Sequence, residues 1–76
     1  MPELRKLSGR EVVRALTKAG FKPKRQRGSH LILTKETPEG KIGCVVPMHS
    51  ELKIGTIIGI LEQAKLSKED FIKLME

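Results

Sequence analysis

The hydrophobic period of the chain changes twice, from helical to alternating and back to helical. Val12, Val13, Leu16 and Ala19 recur at helical spacing, while Arg10, Arg14, Thr17 and Lys18 fall elsewhere around the same turns. Ahead of them, Ser8-Gly9-Arg10-Glu11 has the form of a capping box: the Ser8 hydroxyl accepts from the Glu11 amide, and the Glu11 carboxylate accepts from the Ser8 amide. Gly20 is placed to end this helix, with Phe21 where the apolar contact of a Schellman cap belongs.

From Lys22 the helical period is lost. Pro23 has no amide to give to a ladder, so Lys22–Arg27 is predicted as an edge strand, closed by the turn Gly28-Ser29. His30–Lys35 is β-branched and apolar enough for a second strand, with His30, Ile32 and Thr34 on one face and Leu31 and Leu33 on the other. Pro38-Glu39-Gly40 supplies the next turn, and Ile42–Val46 a third strand directing Ile42, Cys44 and Val46 to one side. These strands form an antiparallel meander.

Pro47 ends the third strand, and Met48–Lys53 is a polar connection. Ile54, Ile57, Ile58, Leu61 and Ala64 then return to helical spacing in spite of Gly55 and Gly59, with Gly55 in the first turn. Ser67, Glu69 and Asp70 start a short last helix whose Phe71, Leu74 and Met75 can pack back onto the rest. The order helix, three strands, helix, short helix predicts an α+β fold. An antiparallel sheet with helices on one face leaves its other face and its loops for function.

Length and charge narrow the function. At 76 residues the expectation is one domain over residues 1–76, with no internal repeat and no low-complexity linker. Fifteen Lys and Arg against nine Asp and Glu leave a net charge of +6, which favours an anionic partner, nucleic acid first. With no Trp, no Tyr and two Phe there is almost nothing to stack bases on, so phosphate contacts must carry such an affinity. Phe21 and Phe71 are assigned to the core. Cys44 is the one cysteine, which excludes an internal disulfide and a cysteine-rich zinc site and points to a reducing compartment. The start Met1–Lys6 lacks the apolar core of a signal peptide, and the longest apolar runs are three residues, so a soluble, cytoplasmic protein off the membrane is expected.

Much of the positive charge lies beside one histidine. Lys22, Lys24, Arg25 and Arg27 immediately precede Gly28-Ser29-His30. RNA carries its own nucleophile, the 2′-hydroxyl, so its cleavage needs a proton acceptor, a proton donor and cations for the charge that develops on the phosphate. An imidazole can fill either proton role near neutral pH. A histidine at the start of a strand is more often an ordinary solvent-facing residue, and single surface lysines often only solvate the fold; the clustering is what raises these residues as candidates. His49, after Pro47-Met48, is the second histidine and can either complement His30 as an acid paired with a base or cap the strand end. Two histidines this far apart, with no carboxylate at ligand spacing, make a poor metal signature, and neither a metal nor a cofactor is expected. Gly40-Lys41-Ile42-Gly43 lacks the Walker pattern and the helix that follows it, so turn and strand glycines explain it better than a phosphate cradle.

Five segments together resemble the HicA toxin family, also called YcfA-like mRNA interferases: Leu7-Ser8-Gly9, Ala19-Gly20-Phe21, Arg25-Gln26-Arg27-Gly28-Ser29-His30, Val46-Pro47-Met48-His49, and Leu52-Lys53-Ile54-Gly55-Thr56. Each is weak alone, but their order and spacing cover nearly the whole chain. The resemblance implies a double-stranded-RNA-binding-domain-like fold, metal-independent cleavage of mRNA, and a HicB-type antitoxin that binds the toxin and covers its active site. The family's catalytic histidine, in a Gly-Ser-His motif, matches His30. Two departures stand out. Leu31-Ile32-Leu33 replaces a strand that often holds an aromatic residue, and Lys65 stands where the family usually has glycine after the Gln-Ala of the second helix.

The expectation is therefore an endoribonuclease toxin of a type II toxin-antitoxin system. His30 moves the proton, Lys22, Lys24, Arg25, Arg27, Ser29 and Lys53 hold the RNA, and His49 is an auxiliary candidate. A non-catalytic double-stranded-RNA-binding module is the alternative on the same fold, although such a binder wants a lysine cluster at the start of its second helix, where Lys53 stands nearly alone. A domain that has lost activity and serves only to bind its antitoxin is a third reading.

Overall fold

The computed structural model describes residues 7–75; Met1–Lys6, read above for the lack of a leader, and Glu76 lie outside them. The elements follow the expected order: α1 (Gly9–Lys18), β1 (Lys22–Arg27), β2 (His30–Thr37), β3 (Gly40–Pro47), α2 (Ile54–Ala64) and α3 (Lys68–Met75). The strands form an antiparallel sheet in the order β1-β2-β3. This is the α+β architecture that the element order predicts, with α3 added at the C-terminal side.

Local chemistry sets the ends of α1. The Ser8 amide donates to Glu11 Oε1 at 2.9 Å and the Glu11 amide donates to Ser8 Oγ at 3.1 Å, closing the capping box. At the other end the Gly20 amide donates to the Thr17 carbonyl and the Phe21 amide to the Leu16 carbonyl, both at 3.0 Å, which is the Schellman pattern. Leu16 and Phe21 are both buried, so the cap also anchors the core.

The second and third strands run further than their apolar patterns indicate. They pair without a break from His30↔Pro47 to Thr37↔Gly40, so both reach the two-residue turn Pro38-Glu39. Pairing carries them past the last apolar residue: Glu36 lies opposite Lys41, and the Thr37 hydroxyl donates to the Gly40 carbonyl at 2.6 Å. The cross-strand register puts Leu31, Leu33, Cys44 and Val46 on the face that meets the helices. Val12, Ala15 and Leu16 of α1, Ile57, Ile60, Leu61 and Ala64 of α2, and Phe71 of α3 close over that face in one buried cluster.

The second helix is turned relative to expectation. Ile60 is buried, whereas Ile54 and Ile58 are 42% and 37% exposed. The rotation follows from what α2 packs on. It contacts β3 and α3, and Gln63 Oε1 accepts from the Val45 amide at 3.1 Å, an outward amide of the edge strand β3. Ser67 caps the last helix as expected, its hydroxyl accepting from the Asp70 amide at 3.1 Å, and Leu74 and Met75 pack partly buried beside Phe71.

Candidate active site

The face of the sheet turned away from the helices carries the charge. Cross-strand neighbours share a face, so the register sets out three rows: Arg27, His30 and Pro47; then Arg25, Ile32 and Val45; then Lys22, Thr34 and Gly43. Arg27 is the direct cross-strand partner of His30, and Arg25 lies one row along on the same face. His30, Lys22, Lys24, Arg25 and Arg27 are all exposed. None of these four cations forms an ion pair with a carboxylate of the described residues; the one pair seen there joins Lys41 to Glu36. Their fields are thus not cancelled by a neighbouring carboxylate at contact distance.

His30 is presented by a tight turn. Arg27 pairs with His30, so Gly28-Ser29 is a two-residue hairpin loop, and Gly28 at its first position has φ +60, a conformation natural to glycine. The Gln26 side-chain amide donates to the Gly28 carbonyl at 2.9 Å, bracing the turn from within β1. Nothing in the sequence singled out Gln26; its place between two arginines gave no sign that it would hold the loop. The irregularity in β1 lies between Pro23 and Arg25, so Lys24 falls at a bulge and leaves the regular alternation of Lys22, Arg25 and Arg27.

The other predicted residues sit around this end of the sheet in different roles. Ser29 holds the site through its backbone, its carbonyl accepting from the Met48 amide at 2.6 Å. His49 is exposed two residues beyond Pro47, the cross-strand partner of His30, and its carbonyl accepts from the Gly9 amide at 2.9 Å. Lys53 is exposed at the N-cap of α2, with no side-chain capping bond, and belongs to the connection rather than to the rows of the sheet. Leu52 before it donates its amide to the Leu7 carbonyl at 2.6 Å, pinning the connection to the segment ahead of α1. Among the described residues no three His, Cys, Asp or Glu side chains gather where they would hold a metal ion.

The arrangement joins one exposed imidazole to two guanidinium groups, in successive rows of one sheet face, that form no ion pair among the described residues. Residues 9–66, about three quarters of the chain, match the family described as HicA toxin of bacterial toxin-antitoxin. The chain belongs to the HicA toxin family. Neither the curated proteins nor the solved structures compared with it gave a match. Membership in the HicA family makes this chain the toxin side of a toxin-antitoxin pair, with an antitoxin as counterpart. The matched span contains α1, the whole sheet and α2, and so includes Gly28-Ser29-His30 and the four cations before it. Among the described residues no helix is long and apolar enough to cross a membrane.

Proposed function

We infer that this HicA-family toxin is a metal-independent endoribonuclease that cleaves mRNA in the cytoplasm, that His30 is its catalytic residue, and that a HicB-type antitoxin neutralises it. The observation that carries the reading is the row Arg27-His30, an exposed imidazole directly across the strand pair from a guanidinium that has no ion-pair partner among the described residues, inside the span that matches the family.

The chemistry follows from the substrate. The 2′-hydroxyl of one nucleotide attacks the adjacent phosphorus while the bond from phosphorus to the 5′-oxygen breaks. One proton leaves the 2′-hydroxyl and one must reach the departing 5′-oxygen. His30 carries out one of these transfers, and Arg27 and Arg25 stabilise the extra negative charge on the phosphoryl oxygens. Ser29 and Lys53 bind RNA around that centre, Lys22 and Lys24 bind it further along the sheet, and His49 is the auxiliary candidate for the second proton. Growth arrest then follows from loss of translatable message, and the antitoxin protects the cell by covering this face.

Purified His30→Ala tests the assignment. The variant is expected to keep its fold and to lose RNA cleavage and growth arrest, while cleavage by the parent persists in a chelator. Cleavage by His30→Ala equal to that of the parent would sink the assignment. RNA retained in a gel by the parent without shortened products would instead favour the non-catalytic double-stranded-RNA binder.

A further inference from the structure

The end of the sheet remote from His30 holds a second concentration of charge. β1 pairs with β2 only as far as Lys22↔Thr34, so Lys35, Glu36 and Thr37 of β2 extend past it. An open groove of about 420 Å³ lies at this overhang, and Lys22, Lys24, Lys35 and Lys41 line it. Thr34 and Gly20 complete the lining with Glu36, the one carboxylate present. Glu36 reaches Lys41 at 3.9 Å with side chains 87% and 51% exposed, a contact too long and too wet to neutralise the site. Lys35 is held in place from behind, its Nζ 5.8 Å from the centroid of the Phe21 ring.

We propose that this lysine groove is a second phosphate-binding site, which takes the backbone of the RNA strand flanking the bond cleaved at His30. The proposal rests on the endoribonuclease reading for the identity of the strand, and it adds Lys35 and Lys41 to the residues that hold it. Two observations select RNA. The groove reaches the active-site face through Thr34 and the Glu36–Lys41 pair, which share a face with His30, Thr34 lying four residues along β2, or about 13 Å at the rise of a strand; Lys35, opposite Ile42, leaves β2 on the helix-facing side, so the groove wraps around the end of the sheet. Arg25 occupies the row between. A strand seated with one phosphate beside Arg27 and Arg25 therefore meets Lys22 and then the groove as it continues along β1. The lining also contains no large apolar side chain, so it lacks the anchor on which a protein partner would centre its binding energy.

Binding of a fully 2′-O-methylated RNA decamer, which has no free 2′-hydroxyl and cannot be cut, tests the groove independently of catalysis. The double variant Lys35→Gln/Lys41→Gln is expected to bind more weakly, by roughly two- to fivefold for each ammonium group replaced. Its log affinity should fall less steeply with log salt, by about 0.7 for each phosphate no longer neutralised. Glu36→Gln, a change at an exposed side chain, is expected to bind more tightly, an effect that misfolding would not produce. Affinity and salt slope equal to the parent's in the double variant would overturn the proposal, as would a Glu36→Gln variant that binds no more tightly. Unchanged RNA binding with weakened antitoxin binding would also overturn it and give the groove to the protein partner. If His30→Ala still cleaves while the double variant binds the decamer weakly, the assignment of His30 fails and the groove stands.

Discussion

Met48 donates its amide to the Ser29 carbonyl at 2.6 Å, joining the turn that presents His30 to the segment that leaves the sheet after Pro47. The next residue of that segment, His49, accepts from the amide of Gly9 at 2.9 Å. The first turn of α1, the β1–β2 turn and the start of the connection to α2 thus meet at one end of the sheet. The placement of the candidate catalytic imidazole depends on contacts between parts of the chain that are distant in sequence.

Gly9 is the tightest of these contacts. A Cβ there would run into the Pro47 carbonyl and stand 2.9 Å from the Cα of Met48, and both obstacles are backbone atoms that cannot swing aside. Gly9→Ala is therefore expected to destabilise the fold by about 1–3 kcal/mol, the usual range for overpacking. A urea titration at constant m-value checks the loss. The same variant should cleave RNA more slowly than the parent even where it is fully folded, because the displaced segment carries Pro47, the residue opposite His30. Unchanged stability would mean that α1 can slide at no cost.

The two arginines should separate by role. Arg27 lies directly across from His30 and Arg25 one row away on the same face. Arg27→Gln is expected to lower kcat as well as affinity, because its charge acts where negative charge grows during the reaction. Arg25→Gln should act more on KM than on kcat. Each should reduce the slope of log affinity against log salt by about 0.7 for a single strand. Steady-state cleavage at several salt concentrations distinguishes the two, and equal effects on kcat would remove the special place given to Arg27.

The sequence was most legible where local chemistry decides the outcome. The capping box at Ser8 and Glu11, the cap at Gly20 and Phe21, and the alternation of Leu31 and Leu33 with His30 and Ile32 depend on neighbours within a few residues, and each is present. The family motifs likewise gave a family that the match over residues 9–66 bears out. The rotation of α2 was not legible. Its isoleucines at 54, 57, 58 and 60 allow more than one buried face, and the choice is made by β3, α3 and the Gln63–Val45 bond. The support of the His30 turn by Gln26 and Met48, and the gathering of Lys35 and Lys41 with Lys22 and Lys24, depend on strand register, which the spacing of residues along the chain does not reveal.

Lys65 holds a glycine's conformation. It caps α2 at φ 60 and ψ 39, the left-handed region that a side chain with a Cβ enters at a cost of about 1–2 kcal/mol. Its amide still donates to the Glu62 carbonyl at 3.3 Å, and the Leu66 amide donates to that of Leu61 at 3.0 Å, so the cap forms despite the strain. Lys65→Gly should relieve the strain while giving the unfolded chain more freedom, leaving a net gain of up to about 1 kcal/mol. Thermal and urea unfolding check the sign. A loss of stability would show that the exposed lysine contributes more than its backbone costs.

Cys44 supplies a pH dependence whose sign can be worked out. It is 2% exposed under the helices, and burial pushes its thiol from the ordinary 9.0 up to about 11. The folded state therefore keeps the proton over a range in which the unfolded chain has already released it. Between those two values the unfolded state binds fewer protons, so unfolding becomes easier as pH rises. The stabilisation is fully present below pH 9 and is lost progressively as the pH climbs through about 11. Urea unfolding followed from pH 8 upward should show a declining midpoint in the parent and a flatter profile in Cys44→Ala, whose stability below pH 9 is lower because a buried side chain has been trimmed. The same burial should make the thiol slow to alkylate near pH 8 until the protein unfolds, since the thiolate is the reactive form. Rapid labelling of the folded protein at that pH would contradict both expectations, and the pH profile of the alanine variant would then separate a misplaced thiol from a fold that opens readily.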